Sequence, residues 1–96
     1  MARDQDMAHT ADVGIVNQRG LHARAAAKFV TVAEKFDASI DVIHADMTVS
    51  GHSIMGLMML GAGRGETIRI IAQGPQGPQA LAALVRLVGA GFDEDD

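Results

Sequence analysis

Between residues 11 and 88 the apolar positions switch between a two-residue and a three-to-four-residue period, and outside 54–60 no segment is apolar on both faces. The first period belongs to a half-buried strand and the second to an amphipathic helix. Ala11, Val13 and Ile15 share one side of a strand over 11–16. Ala26, Phe29, Val30, Ala33 and Phe36 form the stripe of a helix over 23–36. Ile40 and Val42 face inward from a strand over 39–44, and a reversal at Ala45-Asp46 returns Met47–Val49 as its antiparallel partner. Ser53 is placed to cap a short helix over 54–60. Ile68, Ile70 and Ala72 mark the most regular strand, 66–73. Leu81, Leu84, Val85 and Val88 mark a last helix, with Pro78 suited to its first turn. One apolar face per element leaves a simple way to bury them all, with the helices on one face of a sheet whose other face meets water. The expected class is α+β, in the order βαββαβα, with a four-stranded antiparallel sheet and three helices on one face.

The chain of 96 residues suits one domain. Its expected divisions are a mobile leader over 1–9, the domain over 10–91 and a disordered, solubilising acidic tail over 92–96. No apolar run approaches the ~18 residues needed to cross a bilayer. The opening MARDQDMAHT is polar and acidic, unlike a secretory signal. The absence of cysteine removes disulfides and thiolate metal sites. A cytoplasmic monomer without membrane contact is expected. The net charge of −4 traces to Asp93, Glu94, Asp95 and Asp96, which leaves eight acidic and eight basic residues upstream. With three Phe and no Tyr or Trp, the chain has neither the basic excess nor the stacking platforms of a nucleic-acid binder.

Chemistry has few places to reside. His9 lies in the leader, His44 at a strand end and His52 in a turn, and none has metal-ligand spacing to another. Neither a metal nor a cofactor is expected. Gly61-Ala62-Gly63-Arg64-Gly65 mimics a dinucleotide fingerprint but follows a helix and precedes a strand, the reverse of the required order, so it reads as a helix stop and turn. There is no G-x-S-x-G elbow and no cysteine nucleophile. His22 differs by context. Gly20 and Leu21 form a turn that projects it beyond the start of the helix, where the N–H groups of Ala23, Arg24 and Ala25 lack intrahelical acceptors. Such an end attracts anions, and Arg24 adds a planar fork suited to phosphate oxygens. Small Ala23, Ala25, Ala26 and Ala27 should leave approach to the site open.

Gly20-Leu21-His22-Ala23-Arg24, followed by Ala26-Ala27 and Phe29-Val30, resembles the active-site segment of HPr, the histidine phosphocarrier family of the bacterial phosphoenolpyruvate-dependent phosphotransferase system. Ser53-Ile54-Met55-Gly56-Leu57-Met58 with Leu60 resembles the regulatory-serine helix of the same family, and the element order is similar to its open-faced β-sandwich. The resemblance runs from about Ala11 to Val88. It implies that His22 accepts a phosphoryl group on Nδ1 from enzyme I and passes it to an enzyme IIA, with Arg24 and the helix N–H groups holding the phosphate. The protein would then be a stoichiometric carrier and no enzyme in its own right. It implies that Ser53 is the position modified by HPr kinase/phosphorylase, and that Ile54, Met55 and Met58 belong to an apolar docking surface. So short a helix cannot bury every apolar side chain of 54–60, so some of the methionine must face water.

Two departures qualify the likeness. Ala25 stands where the family usually has proline, adding one N–H at the helix entry, and His52 stands where lysine is common. The segment Arg19–Ala25 is most similar to the nitrogen-branch (NPr) type and its α-proteobacterial relatives. The alternative is a regulatory binding module controlled at Ser53, with His22 a spectator. A small enzyme using His22 as a general base lacks a second catalytic group in the sequence.

Overall fold

The computed structural model describes residues 7–94. The elements are β1 (His9–Gly14), α1 (Ala23–Ala33), β2 (Ser39–His44), β3 (Met47–Ser50), α2 (Ile54–Met59), β4 (Thr67–Gln73) and α3 (Gly77–Gly89). They form one antiparallel sheet in the order β1-β4-β2-β3. All three helices lie over one face, α3 against β1 and β4, and α1 between α2 and α3. This is the open-faced sandwich that the one-sided patterning requires. Ile40, Val42, Ile68, Ile70 and Ala72 face the helices and are buried, whereas their neighbours Asp41, Thr67, Arg69 and Gln73 face water. On the open face Arg69 pairs with Asp12 of the neighbouring strand at 2.8 Å, a solvated pair that adds little to stability. Ala26, Phe29, Val30 and Ala33 of α1 meet Leu84 and Val88 of α3 in the same core.

Several boundaries differ from the sequence expectation, each for a local reason. α1 ends at Ala33 instead of continuing to Phe36, because Lys35 and Phe36 direct their N–H groups to the carbonyls of Val32 and Ala33, three residues back. α2 ends at Met59, with Leu60 as its cap. β1 begins at His9 and pairs it with Ala72, so that residue belongs to the sheet and not to the leader. Residues 1–6 of the expected leader and Asp95 and Asp96 of the expected tail lie outside the described residues.

The largest correction is at the C-terminal end. The chain does not leave the fold after residue 91. Gly91, Phe92 and Asp93 take successive left-handed conformations, with φ of 67°, 58° and 58°. This turn drives Phe92 into the core, where it is 0% exposed, and carries Glu94 back toward the start of α1. A bulky residue at positive φ is held there only by surroundings that over-determine it. Here those are the core around Phe92 and the Lys28 ammonium, which donates to the Phe92 carbonyl at 2.7 Å.

Candidate functional site: the start of the first helix

The turn before α1 is built on a buried asparagine and a left-handed glycine. Asn17 is 1% exposed. Its carbonyl accepts from Gly20 N–H at 3.2 Å, and its side-chain Nδ2 donates to the Gly20 carbonyl at 2.8 Å. Gly20 has φ of +63°, and a Cβ added there would come within 2.5 Å of the Ala62 carbonyl oxygen. That same oxygen accepts from Leu21 N–H at 3.1 Å. The glycine-rich stretch after α2 is thus a turn, and it braces the backbone just ahead of His22. Gly20→Ala combines an unfavourable φ with a backbone clash. It is expected to cost about 2 kcal/mol or more, which a denaturant titration measures.

His22 is the N-cap of α1, with extended backbone (φ −75°, ψ 178°) and no hydrogen bond from its side chain to the helix. The first helical bond runs from Ala26 N–H to the His22 carbonyl, 2.9 Å. The N–H groups of Ala23, Arg24 and Ala25 therefore precede the ladder and point out of the helix end. The ring, free of capping duty, is turned toward the C-terminal segment, and Nε2 lies 2.5 Å from Glu94 Oε2. The other carboxylate oxygen, Oε1, accepts from Asn17 Nδ2 at 2.9 Å. Asn17 must present its amide nitrogen here, because the reverse orientation would set its oxygen against both the Gly20 carbonyl and the carboxylate.

Burial alone would raise the Glu94 carboxyl. The hydrogen bonds from Asn17 and His22, with the positive charges of His22 and Lys28, outweigh it and hold the group below the usual carboxylate range. An ionised carboxylate can only accept, so the shared proton sits on His22 Nε2. In the neutral ring this leaves the lone pair on Nδ1. The arrangement is a carboxylate-oriented imidazole, the pattern by which proteins fix a histidine tautomer.

The other expected site residues divide by exposure. Arg24 is exposed and has no ion-pair partner among the described residues. Ala23 is exposed, but Ala25 and Ala26 are fully buried under α1. Their small size therefore serves helix packing, and they do not open the approach to His22. Ala25 still offers its backbone N–H. Ser53 caps α2, its Oγ accepting from Gly56 N–H at 2.9 Å. Leu57 and Leu60 are buried, while Ile54, Met55, Met58 and Met59 are exposed, Met55 by 67% and Met59 by 64%. α2 packs on α1, so this apolar surface adjoins the helix that His22 begins.

Two of the remaining histidines are occupied elsewhere, and the third lies in a strand. His44 Nδ1 lies 3.1 Å from the Leu60 carbonyl, with Nε2 3.4 Å from Glu66. His52 Nε2 lies 3.2 Å from the Ala38 carbonyl, and His9 Nε2 is buried. Sequence reasoning missed Asn17 and Glu94. The available signal was Phe92, an aromatic residue standing alone among glycines and acids past the helix stop.

The family model described as the phosphotransferase-system HPr component phosphorylation site matches residues 9–90. A phosphocarrier protein HPr of Pseudomonas putida is 46% identical over 86 residues, covering 88% of this chain and 96% of the relative. A phosphocarrier protein NPr of Shewanella violacea is 44% identical over 82 residues, covering 85% and 90%. Among solved structures, a crystal structure of HPr from Thermoanaerobacter tengcongensis superposes with a TM-score of 0.86 at 39% identity, covering 92% of this chain and 99% of that one. Proteins named for either branch match at nearly equal identity. A buried asparagine, a braced glycine turn and a carboxylate-bound histidine at a helix start are thus the local structure of a member of the HPr family, the phosphocarrier proteins of the phosphotransferase system.

Proposed function

We propose that His22 is the phosphoryl acceptor, through Nδ1, and that it relays the group from a phosphohistidine of enzyme I to an enzyme IIA in the cytoplasm. The observation that carries this reading is the engagement of Nε2 by Glu94, which leaves Nδ1 as the nucleophilic nitrogen. The Nδ1 lone pair forms a bond to phosphorus as the P–N bond to the donor imidazole breaks, and the donor ring keeps that electron pair. The reverse exchange, with the next acceptor, returns His22 to its starting state. The N–H groups of Ala23, Arg24 and Ala25 and the Arg24 guanidinium supply donors for the phosphate oxygens. A favourable charge at a helix end contributes ~0.3–1 kcal/mol, and up to ~2 in good geometry. That is enough to hold a phosphoryl group without trapping it. The protein acts as a monomeric carrier consumed and regenerated in each exchange. Phosphorus NMR after incubation with phosphoenolpyruvate and enzyme I should report a base-stable, acid-labile phosphoimidazole bonded at Nδ1. A phosphate on Nε2 would overturn the reading.

Ile54, Met55 and Met58 serve as the docking surface for these partners, and flexible thioethers suit surfaces that differ from one partner to the next. HPr kinase/phosphorylase would act at Ser53, beside that surface. A phosphate there adds about −1.5 to −2 charges at the rim of an apolar patch. Asp caps helices as well as Ser does, so Ser53→Asp should leave the melting temperature nearly unchanged. Its rate of phosphorylation by enzyme I should fall about tenfold, the equivalent of ~1.4 kcal/mol in docking. An unchanged rate would remove Ser53 from the mechanism.

A further inference from the structure

The path of the C-terminal segment is costly and specific. It strings three left-handed residues together, buries Phe92 and is pinned through Lys28 to the Phe92 carbonyl. At its end Glu94 is fastened twice, by Asn17 Nδ2 at 2.9 Å and by His22 Nε2 at 2.5 Å, across 72 residues of sequence from His22. Asn17 is itself fixed by its bond to the Gly20 carbonyl. Nothing in the core requires a carboxylate at that point, and the side chain it touches is the one proposed to carry phosphate.

We propose that Glu94 is a positioning residue for phosphoryl transfer, keeping the proton on Nε2 of His22 while the phosphoryl group is on Nδ1. This rests on the reading of His22 as the acceptor. When the P–Nδ1 bond breaks, its electron pair returns to Nδ1. If Nε2 holds its proton, the ring leaves as neutral imidazole. If that proton has been lost, the ring must leave as imidazolate, a much poorer leaving group. A carboxylate bonded to Nε2–H favours the protonated phosphoimidazole, as an opposite charge within hydrogen-bond reach does for any cation.

The charged groups on the surrounding elements are Arg24 and Lys28 on α1, Arg19 in the preceding turn and Asp93 ahead of Glu94. α2, which packs on α1, carries none. Both cations of α1 work against retention of the proton, and the Glu94 carboxylate, bonded directly to Nε2, opposes them.

The test uses the full chain and a chemical donor, phosphoramidate, so that no partner protein is needed to load the ring. Wild type, Glu94→Gln and Glu94→Ala are phosphorylated, the site is read by phosphorus and nitrogen NMR, and loss of phosphate is followed from acid to alkaline pH. The same NMR series reports whether Nε2 carries its proton. Glu94→Gln keeps size and hydrogen bonding and removes the charge, so it remains informative if the alanine variant packs poorly. In both variants the proton should leave Nε2, and the rate should begin to fall, about one pH unit lower than in wild type. The variants would then be about tenfold slower on the alkaline limb and nearly equal to wild type on the acid side, where every ring is protonated. Superimposable profiles, or an equal loss at every pH, would overturn the proposal. Failure of wild type to carry phosphate on His22 would instead overturn the reading it rests on.

Discussion

Replacing His22 by alanine should abolish phosphorylation by enzyme I and phosphoenolpyruvate while the protein stays folded. The side chain makes no capping bond, so the helix loses none when it is removed. Glu94 keeps its hydrogen bond to Asn17, so the C-terminal turn remains anchored. The stability cost should stay at about 1–3 kcal/mol, because the partly buried Glu94 carboxylate loses one of its two hydrogen-bond partners and keeps the other. No other histidine can take over. His44 has both ring nitrogens directed at protein groups, His52 directs Nε2 at the Ala38 carbonyl, and His9 sits within a strand. Of the four, only His22 begins a helix of three turns, where N–H groups without intrahelical acceptors are available to an anion. Phosphorus NMR and a thermal melt on the same sample separate loss of the acceptor from loss of the fold. An acid-labile phosphate retained at wild-type level in His22→Ala would refute the assignment.

The fold was legible because each element declares one apolar face. Ile68, Ile70 and Ala72 alternate without interruption, and they occupy one of the two strands that pair on both sides. Ser53 is also readable, since a residue with a short polar side chain ahead of an apolar run has few other roles, and it does cap α2. His22 could be singled out because a turn glycine, the ring and the helix start are contiguous. Its partners could not. Asn17 and Glu94 are 77 residues apart, and only the fold joins them. Glu94 was concealed by its company, since four consecutive acids after a glycine stop carry the composition of a solvated tail. Phe92 carries the opposite signal. An aromatic residue beyond a helix stop needs burial as much as one within the helix, and burying it draws its neighbours into the fold.

Phe92→Ala should therefore be among the most destabilising single changes outside the regular elements. The ring is 0% exposed and belongs to the same apolar cluster as Phe29 and Leu84. Removing a buried Phe side chain costs about 3–5 kcal/mol through lost transfer energy and the cavity left behind. Alanine at φ +58° keeps the backbone strain, so no relief offsets that loss. In a domain of this size 1 kcal/mol shifts the melting temperature by about 4–8 °C, so a fall of more than ~10 °C is expected. Phe92→Leu retains most of the apolar volume and should lose less than half as much. The two variants also separate packing from site chemistry. If Phe92 is the anchor that delivers Glu94, the alanine variant at a temperature where it remains folded should reproduce the alkaline deficit of Glu94→Ala, and the leucine variant should not. A melting temperature for Phe92→Ala within 2 °C of wild type would mean that the C-terminal turn is not part of the core. The bond between Glu94 and His22 would then have no fixed support.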